Sequence, residues 1–298
     1  MTRTDTAWTA RLALIGASLL WSGNSAFIKG AALTSWQVAS FRSGVAALVF
    51  LAVLPDARRL PSLRAVLVGA AYAGTMLSFA LANKLTTGAS AVFLQATAPL
   101  WVMLLAPWLL GEHASRRDVI AMAALAAGMA LFFVSSDPPS TTAPAPFAGN
   151  VLGVVAGITW GLTVIGFRRL RMNERPGVPS AVPSALVMGN VIAFGFGLVQ
   201  ALPVHAVKPA DIAIVLWLGA MAIAVAYLLF TRGLRRVPAL EASLICLIEP
   251  VLNPIWTWLA HGERPNGWSL VGGAVILATT TLKTVIDTRA LPRALPAR

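Results

Sequence analysis

Charge is scarce in this chain of 298 residues: aspartate, glutamate, lysine and arginine together make up 11%, against roughly a quarter in soluble domains. A water-soluble protein of this length would lack the polar surface to coat its core, which excludes a soluble enzyme. Cysteine occurs once, at Cys246, so neither an internal disulfide nor a cysteine-based zinc site is available. The three histidines, His113, His205 and His261, lie far apart in sequence, and none sits in a metal-binding spacing such as HExxH. No GxxxxGK[ST] occurs, which leaves ATP-driven pumping by this chain without its phosphate cradle. No metal or cofactor is expected.

What remains is largely apolar: 57% hydrophobic residues and a mean hydropathy of +0.76. A spanning helix takes about 20 residues, so ten would use about 200 and leave about 100 for loops and tails. Apolar stretches between charges and prolines give ten candidate spans: 11–30, 36–54, 64–82, 87–110, 118–135, 148–168, 181–202, 210–231, 240–260 and 266–286. Pro55, Asp56, Arg58 and Arg59 close the second span, and Gly111-Glu112-His113 closes the fourth. Asp137-Pro138-Pro139 opens a loop whose prolines, through Pro144 and Pro146, cannot continue a helix. The runs are too long and too evenly apolar for barrel strands. The first run is long for a signal-peptide core and lacks a clear small-x-small cleavage site, so it reads as a helix.

Eighteen of the 23 lysines and arginines fall on the side shared by the two termini, four on the other (Lys29, Lys84, Lys208, Arg264), and Arg42 within a span. Positive residues stay cytoplasmic during insertion, which predicts cytoplasmic termini. The net charge of +12 is therefore a topology signal. Without arginine–aromatic interleaving, it does not point to nucleic acid.

The chain also repeats itself. Pro99 precedes Gly111-Glu112 by twelve residues, and Pro250 precedes Gly262-Glu263 by the same interval. Trp21 in LLWSGN corresponds to Trp160 in GITWGLT. These matches fit a first five-helix repeat over 1–135, a Pro-rich linker over 136–147, and a second repeat with the tail over 148–298. Five crossings are odd, so the halves enter the membrane in opposite senses. Such inverted repeats place a binding site near the midplane between the halves. The expected fold is all-α and integral to the membrane, with ten transmembrane helices around a central cavity.

In these features the chain resembles the drug/metabolite transporter superfamily, and more narrowly its EamA-type exporters, most like the bacterial aromatic amino acid exporter branch. The resemblance implies a ten-helix basket and export of amino acids or similar small amphipathic metabolites without ATP. One departure is that Glu249-Pro250 in the second half reads Ala98-Pro99 in the first, which makes any role of the carboxylate one-sided.

Ionisable groups within hydrocarbon are costly and face a cavity or a partner. Of the eleven acids, Glu249 alone falls at the centre of a span, and Arg42 sits six residues into another. Glu249 is a candidate for a substrate ammonium or a coupling proton, and Arg42 for a substrate carboxylate. The alternative is a structural Arg42–Glu249 pair, or separate satisfaction by carbonyls and water. Trp21, Tyr72, Trp101, Trp160, Tyr227 and Trp256 lie within spans, away from the usual interfacial belt. With Ser22, Asn24, Ser78, Gln95, Thr97, Thr163, Ser243 and Asn253 they would suit a cavity for amphipathic solutes. Helix packing is the alternative for any one of them. Pro99, Pro250 and Pro254 are expected to break or gate helices by freeing backbone carbonyls. Gly149, Gly153, Gly157 and Gly161 recur every four residues, as close helix contact requires. Trp8, Trp36, Trp108, Trp217 and Trp268, near span ends, are expected at the interface.

These readings converge on an exporter of amino acids, aromatic and other neutral ones included, working by alternating access in the bacterial inner membrane. Its expected partners are a small-molecule substrate, the lipid bilayer and a proton as candidate coupling ion. Nucleotide-sugar or sugar-phosphate carriage would call for several basic groups in the cavity, an integral lipid enzyme for a catalytic cluster at one interface, and a channel for conductance.

Overall fold

A computed structural model of the chain describes residues 3–111, 115–134, 139–172, 179–205, 207–234, 236–237 and 239–290. Regular structure among the described residues is helical. In chain order the helices are α1 (Arg3–Ser22), α2 (Asn24–Gly30), α3 (Ser35–Val53), α4 (Leu63–Leu85), α5 (Gly88–Gln95), α6 (Ala98–Leu110) and α7 (Arg116–Ala130). There follow α8 (Pro146–Met172), α9 (Val182–Ala201), α10 (Pro209–Leu216), α11 (Ala226–Leu234), α12 (Ala239–Cys246), α13 (Ile248–His261) and α14 (Gly267–Ala290). A π-helical stretch, Trp217–Val225, joins α10 to α11.

Seven stretches among the described residues are long and apolar enough to cross a membrane: α3, α4, α5 with α6, α8, α9, α10 through α11, and α14. The other three expected spans coincide with α1–α2, with α7 and its 3-10 extension Leu131–Phe133, and with α12–α13. These are shorter, broken or more polar.

Helix ends follow local chemistry. Thr34 caps α3 and Ser115 caps α7, each in a reciprocal box with the residue three places on. Gly111 and Gly262 end α6 and α13 in the left-handed region, at φ 71° and 68°, where glycine carries no Cβ penalty. That puts the repeated glycine of the Gly-Glu element in the same role in both halves. Its first acid, Glu112, lies outside the described residues.

The core runs along α8. A Cβ built on Gly149 would lie 2.6 Å from the Thr86 backbone nitrogen, and on Gly153 2.9 Å from Leu94 Cβ. On Gly157 it would lie 2.8 Å from Thr97 Oγ1, and on Gly161 3.0 Å from Trp101 Cβ. The glycine series is thus the surface on which α5 and α6 lie, so its role is packing. Gly149→Ala must push a backbone strand of contacts apart, and is expected to cost about 1–3 kcal/mol. Thermal unfolding in detergent should show this as a lowered midpoint, with that of Gly195→Ala, whose Cβ would meet nothing within 4 Å inside α9, unchanged or raised.

The two ends of the bundle are each tied by their own contacts. At one end Lys29 meets Glu263 and the Thr142 carbonyl, Lys84 reaches the Ala31 carbonyl, and Asp211 accepts from the Ala32 amide. At the other, Arg11 pairs with Glu241, Lys283 with Asp118 and Asp287, and the Ser184 hydroxyl with the Asp56 carbonyl.

Candidate functional site

The expected site residues fall into two groups. The first surrounds Arg42 on α3, a side chain only 1% exposed. Its Nη2 donates to the Met76 carbonyl at 2.7 Å, its Nε has no partner, and no carboxylate pairs with it among the described residues. Tyr72 lies beside both Arg42 and Asn190. Asn190 of α9 is fully buried, donates to the Leu186 carbonyl and leaves its Oδ1 unpartnered. Phe167 packs against Tyr72 at 6.4 Å between ring centres, and Tyr227 meets Phe50 edge-on at 6.0 Å. Trp160 packs on the same cluster. The π-helical stretch presses on α3 here: a Cβ on Gly219 would lie 2.5 Å from the Arg42 carbonyl. Such wide turns are rare and recur at functional sites.

The second group gathers around the breaks in the first and ninth spans. Gly23 separates α1 from α2, and Leu247 separates α12 from α13. The Trp256 indole donates to the Ser22 hydroxyl at 3.0 Å, while Trp21 packs against Phe230. Asn253 is fully buried with both amide atoms unpartnered. Asn24 Oδ1 and Ser25 Oγ are buried and unpartnered as well. Ser25 and Thr257 both abut Gly88, since a Cβ there would lie 2.9 and 2.6 Å from them. Glu249 stands one turn before Asn253, half-buried, with no hydrogen bond or ion pair among the described residues. Buried polar atoms without protein partners are uncommon, and this set offers donors and acceptors in one place.

The expected Arg42–Glu249 pair is not formed, because the two charges sit on helices that belong to different groups. Other expectations resolve toward packing. Ser78 and Thr163 return their hydroxyls to the Gly74 and Thr159 carbonyls of their own helices, as buried hydroxyls in helices do when no other acceptor is in reach. Trp101 donates to Thr97 at 3.3 Å against α8, and Gln95 ends α5, half-buried. The side chain of Ser243 lies outside the described residues. Pro99 and Pro250 do not kink continuous helices; each sits in the first turn of a new one, after breaks at Ala96–Thr97 and at Leu247. Their missing N–H groups fall where the helix has no internal acceptor for them. Pro254 lies inside α13, which runs on through it. Trp217 stacks on Phe27 at 4.0 Å.

The expected cavity residues line neither of two surface clefts, of about 450 Å³ between α7 and α14 and about 590 Å³ between α1 and α11.

Sequence reasoning singled out neither Lys29, at the end of the first expected span, nor Glu263, which it placed among loops and helix ends. The structure holds them 2.8 Å apart, each side chain 2% exposed. Lys29 Nζ also donates to the Thr86 and Thr142 carbonyls at 2.7 and 2.6 Å, so three oxygens surround the buried ammonium. Glu263 Oε2 accepts from the Gly88 amide at 2.9 Å. One ion pair thus joins the ends of the first, third and ninth expected spans and the linker. The partners are 234 positions apart, and the only hint in the sequence was how few cations that side of the bundle carries.

Comparison with known proteins now decides the family. The EamA-like transporter family matches residues 8–134 and 147–284, in two copies. The chain belongs to this family. Two curated relatives from Archaeoglobus fulgidus, both described as uncharacterized transporters, are 27% and 26% identical to it over 221 residues. The first alignment covers 68% of this chain and 70% of the relative, the second 72% and 74%. A solved structure described only as the crystal structure of a protein superposes with a TM-score of 0.61 over 98% of this chain and 100% of its own, at 20% identity. That likeness concerns the fold. The family and its relatives point to a multi-pass membrane transporter, not an enzyme, and the family boundary at 134–147 coincides with the Pro-rich linker.

Proposed function

We propose that this EamA-like transporter exports amino acids, aromatic and other neutral ones included, and similar small metabolites across the bacterial inner membrane, by alternating access between two inverted five-helix halves. The observation that carries the substrate class is Arg42: a buried guanidinium beside Tyr72, without a carboxylate partner among the described residues. A charge in that setting takes a counter-ion or carbonyl partners; Met76 supplies one carbonyl, and the carboxylate of a small amphipathic solute would supply the counter-ion. The uncompensated Glu249, beside Asn253 and Trp256, is the corresponding receptor for an ammonium group or a coupling proton. A nucleotide sugar or sugar phosphate would need more cations, and Lys29 and Lys84 are already committed to carbonyls and to Glu263 at one end of the bundle.

Ten crossings, with both termini on one side, are supported by which loops meet, and the arginine count makes that side cytoplasmic. Residues 29, 31, 84, 142, 211 and 263 gather at one end, and 11, 56, 118, 184, 241 and 283 at the other, as strict alternation requires. The Lys29–Glu263 pair then closes the non-cytoplasmic side, and transport requires it to open.

The test is uptake of labelled Phe, Trp, Thr and Met into liposomes containing the purified protein. Saturable uptake with competition among aromatic substrates is expected, and Arg42→Gln should reduce it at least tenfold while the protein still purifies as a folded species. Inactivity toward every amino acid, with uptake of a nucleotide sugar, would overturn the reading.

A further inference from the structure

The cleft between α1 and α11 has a lining that neither packing nor transport accounts for. Its walls are Thr9, Leu12 and Ala13 on one side and Leu229, Arg232 and Arg236 on the other. Gly16 lets α11 approach, since a Cβ there would lie 3.4 Å from Leu229. Trp8, 58% exposed beside Thr9, marks the depth at which indoles settle between headgroups and acyl chains. Leu12, 48% exposed, continues the apolar wall into the hydrocarbon.

Arg232 and Arg236 stand one turn apart in sequence, both exposed, and their guanidinium groups make no hydrogen bond or ion pair with any described residue. Several other cations at this end are committed: Arg11 to Glu241, Arg58 to the Leu51 and Ala52 carbonyls, and Lys283 to Asp118 and Asp287. The cleft between α7 and α14 differs in holding one arginine, Arg117, beside Lys283, which is paired with Asp118 and Asp287. Basic pockets between membrane helices at the cytoplasmic surface bind anionic headgroups.

We propose that the α1–α11 cleft seats an anionic phospholipid, its phosphate between Arg232 and Arg236 and an acyl chain along Leu12 and Leu229. The site requires only that the chain resides in a membrane, so it stands or falls apart from the transported substrate.

Native mass spectrometry of the detergent-purified protein tests it, with phosphatidylglycerol and phosphatidylcholine titrated separately. Phosphatidylglycerol should be retained preferentially. The double variant Arg232→Gln/Arg236→Gln should lose about thirtyfold in affinity for it and match phosphatidylcholine. Arg58→Gln, which removes a charge at the same end of the bundle, should leave retention unchanged. Thermal unfolding without added lipid reports whether the double variant is folded; if it is not, Arg236→Gln alone is read, at about fivefold. Equal retention of the two lipids, an equal effect of Arg58→Gln, or displacement by inorganic phosphate at the lipid's concentration would each overturn the proposal.

Discussion

Lys29→Ala is expected to lower the stability of the folded bundle by about 3–5 kcal/mol, the usual cost of leaving one charge of a buried pair uncompensated. Glu263 is 2% exposed on its side chain, so water cannot replace the lost ammonium, and the Thr86 and Thr142 carbonyls lose their donor as well. The midpoint of thermal unfolding in detergent measures the loss. Lys29→Met combined with Glu263→Gln should recover most of it. The amide still accepts from the Gly88 N–H, and a neutral pair of similar volume carries no uncompensated charge. A double variant as unstable as the single one would show that the donated hydrogen bonds, not the charge pair, hold this end together. The same double variant separates structure from gating: if opening this end limits transport, its flux should rise above that of the wild type while its stability stays near it.

The second large effect is expected at Glu249. Glu249→Gln keeps the shape and removes the charge, so stability should change little, since no described residue forms a bond with the carboxylate. Net transport driven by a pH gradient should fall at least tenfold, because a neutral side chain can neither exchange a proton nor hold an ammonium. Solute exchange at equal pH on both sides distinguishes the two roles. Retained exchange with lost pH dependence assigns the proton to Glu249. Loss of both assigns it the substrate ammonium. Flux unchanged at every pH would remove Glu249 from the mechanism.

The family and the helical class were legible before any coordinates, because both rest on quantities that run along the chain. Hydrocarbon thickness dictates the length of apolar stretches, and insertion dictates where arginines remain. The recurrence of Pro99 and Pro250 before Gly111 and Gly262 was legible for the same reason, although their role was not. A proline in an apolar run reads as a kink, and only the tertiary path showed each proline opening a new helix. The glycine series on α8 predicted a close contact, and α5–α6 filled it.

The site was less legible. Arg42 and Glu249 stood out through the cost of charge in a span, but whether they pair depends on which helices adjoin, which no local pattern encodes. Ser78 and Thr163 were indistinguishable in sequence from Asn253, yet their hydroxyls return to carbonyls one turn back, whereas the Asn253 amide remains unpartnered where it is buried.

By itself, then, the amino-acid order determined that this chain is an apolar, all-helical membrane protein with a doubled architecture and two anomalous charges. Only the tertiary structure decided that those charges stay apart, that Lys29 and Glu263 close one end, and that Arg232 and Arg236 remain uncommitted beside α1. The reason is range: periodicity and hydropathy act between neighbours in the chain, while an ion pair depends on a distance in space that the packing of separate helices sets.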